Sequence, residues 1–236
     1  MTTNIPPNAL VEGCPPRSEN FYVTRDLELA ACCLCDDAIP ALPESNIFAA
    51  VENAQRIYTF SIPQSPRANE LIGTWNICKT KGPESVGEDP VGYIFNAFRY
   101  YNRFNKLIRA GSGGQRPAGN NGNFWITNTK APAAALAVSK LYNLTDDRLA
   151  KMILRDGQQC GFFLKDDRYL RAFEDPKAFC AAQPVQDPLA VIACAFFFRE
   201  RLHDFVNGMP ARHVFREIDE NGKEKISFIA EPAAKP

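Results

Sequence analysis

Histidine is scarce in this chain. The only two, His203 and His213, lie ten residues apart near the C-terminal end. A Cys-x-x-Cys at Cys32-Cys33-Leu34-Cys35 therefore lacks the second pair of ligands that a zinc site needs. Net charge is absent as well, with 27 lysines and arginines against 27 aspartates and glutamates. Through Ala110 there are 10 basic and 12 acidic residues, and after it 17 and 15. Neither half has the bulk positive charge of a typical duplex-DNA binder. Long apolar runs are missing too. The strongest, Ala193 to Phe198, is far too short to cross a bilayer. The first twenty residues are polar and proline-rich with no apolar segment of the signal-peptide kind. The expectation is a cytoplasmic protein with no membrane partner. No Gly-x-Ser-x-Gly, His-Glu-x-x-His or Gly-Lys-Ser/Thr occurs, so an enzyme is not expected, nor a cofactor.

What is present is a pair of long helix patterns. In Asp89–Ile108, Asp89 can cap the first turn and Pro90 sits where its missing N–H costs nothing. At 100° per residue Ile94, Ala97, Phe98, Tyr101, Phe104 and Ile108 share one face. About a hundred residues later Asp187 and Pro188 repeat the cap, and Ile192, Ala195, Phe196, Leu202 and Val206 repeat the face.

The elements before each helix also recur. Phe21-Tyr22-Val23-Thr24 reads as a strand, followed by a helix from Leu27 to about Asp37 capped by Asp26. A hairpin follows, with strands Ile47–Val51 and Arg56–Ile62, then a short helix Arg67–Trp75 and a strand near Asn76–Lys79. After the glycine-rich stretch Ala110–Asn123, Phe124-Trp125-Ile126-Thr127 matches the first strand at a shift of 103, and Ala133-Ala134 matches Ala30-Ala31. Leu149–Arg155 alone reads as a helix capped by Thr145, but the repeat favours a strand entering a tight turn at Asp156-Gly157. Tyr169–Phe173 is a short helix or turn. Val214–Ile218 and Lys225–Ile229 form a last hairpin without a counterpart.

The predicted fold is α/β in the α+β sense: a tandem duplication of a strand-helix-hairpin-helix unit, with small antiparallel sheets covered by helices. Its segments are an arm at 1–20, a first unit at 21–109, a flexible linker at 110–123, a second unit at 124–208, and a hairpin and tail at 209–236. The cysteines read as small core residues, since the second copy has Ala135-Leu136-Ala137-Val138 at the Cys32 positions. The paired aspartates read as caps and solvated turns rather than metal ligands.

On Phe21-x-Val23-x-Arg25-Asp26-Leu27-x-Leu29-Ala30-Ala31, Tyr58-Thr59-Phe60 and the Asp89-led aromatic helix, the first half resembles a family of small uncharacterised bacterial and phage proteins, a domain of unknown function. The resemblance covers about 21–108, and 124–206 more loosely, where Asn128-Thr129-Lys130 replaces Arg25-Asp26-Leu27. It implies a phage or mobile-element origin and, if viral, residence in the host cytoplasm. It carries no activity or catalytic residue.

Between Pro90 and Gly122 stand Arg99, Arg103, Lys106, Arg109 and Arg116, with no acid. Arg99, Arg103 and Lys106 form a stripe opposite the apolar face, with Asn96, Asn102 and Asn105 at its edges. Such a row can track a phosphate backbone, or be an ordinary solvated helix surface. The matching positions of the second helix are Phe197, Arg201 and Asp204, with Ala190, Ala193 and Phe197 on that side. A helix apolar on two sides is buried against something: the other copy, the last hairpin or another subunit. The expected function is a non-enzymatic protein contacting single-stranded DNA or RNA through the basic face. The alternative is a viral structural, assembly or host-interfering protein acting through contacts with itself or other proteins.

Overall fold

The structure, a computed structural model, describes residues 20–39, 47–52, 55–119, 122–183, 187–208, 212–218 and 224–230. The arm, the C-terminal tail and the tips of the first and last hairpins lie outside the described residues. The fold is α+β. It divides into two compact units, one made of residues up to Asn69 with those from Arg199 onward, the other of Glu70–Phe198. The division falls inside two helices rather than in the glycine-rich stretch.

The first unit is built on a five-stranded sheet. Strands β1 (Phe21–Thr24), β2 (Ile47–Glu52) and β3 (Gln55–Pro63) lie in the order β1-β3-β2. The last hairpin, β8 (Arg212–Ile218) and β9 (Glu224–Ala230), continues that sheet beyond β2. The β2–β8 pairing is parallel, through Ala50↔Arg212 and Val51↔His213, so this sheet is not wholly antiparallel. Helix α1 (Leu27–Cys33) starts where the Asp26 carboxylate accepts from the N–H groups of Glu28 (3.1 Å) and Leu29 (3.0 Å). It is shorter than its sequence pattern, and Leu29 to Cys33 are all buried.

The second unit begins within α2 (Pro66–Lys81), a single helix where the sequence suggested a short helix and a strand. Ala68, Leu71, Ile72, Trp75 and Cys78 are buried, and this three-and-four spacing lets one continuous helix cover all five. A 3-10 turn at Pro83–Val86 leads into α3 (Pro90–Arg109), where Asp89 accepts from the Val91 N–H at 2.8 Å. The chain then forms β4 (Gly114–Gln115), β5 (Phe124–Ile126), α4 (Lys130–Val138), α5 (Asp146–Met152), β6 (Leu154–Asp156), β7 (Gln159–Leu164), α6 (Arg168–Glu174), α7 (Pro176–Ala182) and α8 (Pro188–Gly208). The sheet order is β4-β6-β7-β5. Two readings change here. The glycine-rich stretch is not a bare linker, because Gly114 and Gln115 pair in parallel with Leu154 and Arg155. Residues 146–152 are helical, with the Thr145 hydroxyl accepting from the Arg148 N–H (3.4 Å), and the strand is confined to Leu154–Asp156. Local capping outweighs the repeat there. The hairpin turn stands as read, with Gly157 at a φ of 59°.

The core of this unit joins α3 and the sheet. Tyr100, Phe104, Ala133, Leu136, Leu149, Ile153 and Phe162 form one buried cluster. The rings of Phe104 and Phe162 meet edge to face at 4.9 Å. Phe98 of α3 meets Phe196 of α8 in the same way at 4.8 Å.

Strand order β1-β3-β2 in the first unit recurs as β5-β7-β6 in the second. The register differs by one residue from the sequence match. Thr24 faces buried Phe60, and buried Ile126 faces buried Phe162, a shift of 102. A slip of one residue turns every strand side chain to the opposite face, so the sequence match at a shift of 103 does not carry over to the buried faces of these strands.

Candidate nucleic-acid interface

Helix α3 is packed on more than one side. Asn96 and Tyr100, which flank the expected stripe, are both fully buried. Tyr100 donates its hydroxyl to the Leu141 carbonyl (2.7 Å), and the Asn96 amide reaches the same carbonyl (3.4 Å). Asn105 accepts from the Thr129 hydroxyl at 2.9 Å. The Asn96 and Tyr100 contacts fasten the α4–α5 connection onto α3, and the Asn105 contact fastens the start of α4, instead of edging a free surface.

The basic residues divide accordingly. Arg103 donates to the Asp146 carboxylate (2.6 and 2.8 Å) and to the Leu144 carbonyl (2.5 Å). Arg99 is half-buried, its guanidinium 5.3 Å from the Tyr100 ring centroid, and its Nε and one terminal nitrogen are buried without an acceptor among the described residues. Only Lys106 and Arg109, in the last turns of α3, stand exposed. The stripe opposite the core is thus broken. Its upper part holds the fold and its lower end faces solvent.

Arg116 sits elsewhere, on the outer face of the four-stranded sheet. Strand alternation sends Ile126 and Phe162 to the core, and Trp125 and Phe163 to the other side. The Trp125 and Phe163 rings meet at 5.3 Å. Trp125 lies directly on Gly161, where an added Cβ would come within 2.4 Å of the indole. Arg116 places its guanidinium 4.5 Å from the Trp125 centroid and 5.9 Å from that of Phe163. It also donates to the Asp156 carboxylate at 2.7 Å. Its side chain remains 34% exposed. From the opposite side of β6, Arg155 donates to the carbonyls of Ser112 (2.9 and 3.1 Å) and Ile108 (3.3 Å). A cation at these carbonyls also complements the negative end of the α3 dipole. Arg155 thereby ties the α3 end that carries Lys106 and Arg109 to the sheet that carries Arg116.

Charge is concentrated in this part of the chain. Residues 90–165 hold eleven lysines and arginines against three aspartates, leaving sixteen basic and twenty-four acidic residues elsewhere. Counting at Ala110 splits this segment and hides the asymmetry.

The remaining candidates resolve as structural. Cys32 and Cys33 are buried. Burial, reinforced by Asp36 and Asp26, pushes the Cys33 thiol up to about 12. Among the described residues no three His, Cys, Asp or Glu side chains come together as a metal site. Ala190 and Ala193 of α8 are buried within the chain itself, so they offer no surface to a second subunit. Phe197 is half-buried, 5.5 Å from the Phe198 ring and 5.5 Å from the Lys177 ammonium. No helix of the described residues is long and apolar enough to cross a membrane. In the sequence Trp125, Phe163 and Gly161 stand out only as parts of strands, and nothing local joins them to Arg116. Comparison with protein-family models, curated proteins and solved structures returns no match.

Proposed function

We propose that the protein is a non-enzymatic binder of single-stranded nucleic acid, acting through the basic part of its Glu70–Phe198 unit. The observation that carries this reading is the charge division, eleven basic against three acidic residues over 90–165 in a chain of zero net charge. A polyanion is the partner such a local excess favours. The packing favours a single strand over a duplex. A recognition helix must present a free face to enter a major groove, and α3 has Asn96, Tyr100 and Arg103 committed to the rest of the unit. A flexible strand can instead follow separate cations around the end of α3. We also read the two halves as copies of one unit. The shared strand order supports this, as does the contact of Phe98 with Phe196, which stand at matching positions of the two Asp-Pro-led helices.

The test is fluorescence anisotropy of a labelled twenty-nucleotide strand across a salt series. Binding is expected at low salt and weakens as salt rises, with a log–log slope of about −0.7 per phosphate neutralised. Lys106→Glu with Arg109→Glu is expected to weaken binding at least tenfold at low salt. Absence of binding by the wild type at low salt, or an unchanged affinity in the double variant, overturns the reading.

A further inference from the structure

The geometry points to the outer face of the four-stranded sheet as a base-stacking site, with the Arg116 guanidinium as the surface on which one unpaired nucleobase lies. This rests on the single-strand reading above and adds a second kind of contact to it. Three layers are already assembled. The backbone at Gly161 forms the floor, since any side chain there would collide with the indole. Trp125 is the second layer, braced edge to face by Phe163 at 5.3 Å. Arg116 is the third, 4.5 Å from the indole centroid and anchored through one terminal nitrogen to Asp156 at 2.7 Å.

A guanidinium is planar and weakly hydrated, so both of its faces can stack. Here the guanidinium carbon lies over the indole, 4.5 Å from its centroid. The side chain is still 34% exposed, so part of it is open to a ligand ring. Arg planes and aromatic rings are the surfaces on which splayed-out bases stack, and stacking is indifferent to sequence because every base has a π-face. The occupant is a nucleobase rather than an apolar peptide side chain because of charge. The site lies within the chain segment of eleven basic and three acidic residues, and that local excess favours a ring carried on phosphates over an apolar peptide side chain. Asp156 discourages a bare anion at this point, since its carboxylate accepts from one terminal nitrogen of Arg116 and sets a negative charge beside it. The site therefore selects a neutral ring carried on a charged backbone.

The experiment compares an intact oligonucleotide with one of equal length and charge whose central nucleotides are abasic. Each is titrated into wild type, Arg116→Lys and Trp125→Leu. Arg116→Lys keeps the charge and removes the plane, at a surface position that leaves the core untouched. Wild type is expected to bind the intact strand roughly ten- to a hundredfold more tightly than the abasic one, the size of one stacked base. In Arg116→Lys that preference is expected to collapse to within about threefold, through weaker binding of the intact strand. Intrinsic fluorescence gives an independent readout. Trp75 is only 1% exposed, so quenching by the intact strand reports Trp125 and disappears in Trp125→Leu. Equal binding of the two strands by wild type overturns the stacking site and leaves the electrostatic reading standing. A base preference that survives intact in Arg116→Lys overturns the role given to the guanidinium. Failure of wild type to bind either strand overturns both readings together.

Discussion

Arg103 shows how a residue's partners decide its role. Its helix face marked it as a solvent-facing cation, yet its bonds to Asp146 and to the Leu144 carbonyl make it a fastening for the α4–α5 connection. The ion pair is largely exposed on the Asp146 side, so its own worth is small. The bond from a charged donor to a backbone carbonyl matters more. Arg103→Ala is expected to lower stability by about 1–2 kcal/mol in urea denaturation, with the m-value unchanged. Asp89, by contrast, was legible because its partner is two residues away, whereas those of Arg103 lie more than forty residues along the chain. Cys33 gives a pH test at the same scale. Its thiol is held up to about 12, against an ordinary value of 9.0, mainly by burial. Above pH 9 the unfolded chain loses this proton while the folded chain keeps it, so folding stability is expected to fall as pH rises from about 9 toward 12 and to be unaffected by this group below 9. Chemical melts at pH 7.5 and pH 10 check the sign, and in Cys33→Ala the alkaline loss should shrink.

At the scale of elements, legibility followed the range of the determining interactions. Caps and helix faces are local, and α3 and α8 begin where Asp89 and Asp187 place them, each carboxylate accepting the N–H two residues on at 2.8 Å. Helix α2 was misread in its second half because Asn76–Lys79 looks extended in isolation. Its burial pattern appears only once Trp75 and Cys78 are seen on the same side. The strand match at a shift of 103 failed because aromatic residues occur on both faces of β7, with Phe162 buried and Phe163 half-buried. The site suffered most. Arg116 was picked out by charge, but Trp125 and Phe163 converge on it only through the β5–β7 pairing and the return of β4 alongside β6. The last hairpin adds an element-level expectation. Because β8 pairs with β2, removing the chain from residue 209 onward bares the β2 edge of the first sheet. An uncovered edge invites intermolecular strand pairing. The truncated protein is expected to aggregate at concentrations where the full chain stays dispersed, as light scattering would show.

For the whole molecule, composition misled and distribution informed. A net charge of zero conceals a segment of eleven basic and three acidic residues, balanced by an acidic remainder. Totals report solubility and overall field, while a local excess reports where a polyanion can settle. The salt series on Lys106 and Arg109 and the abasic comparison at Arg116 address different terms of one interaction, its long-range attraction and its short-range fit.

The meeting of Phe98 with Phe196 has a consequence for how the two halves can diverge. If they are copies, the ring contact joins a position to its own counterpart, as across the twofold axis of a homodimer. In two separate identical chains, every substitution near such an axis would appear on both sides. Fusion into one chain removes that coupling. One helical turn on, the two helices differ. Tyr101 keeps an aromatic contact with Phe196 at 5.2 Å, while its counterpart, Arg199, lies 3.7 Å from the Glu28 carboxylate. A joined pair can keep the rings that hold it together and still let one half specialise.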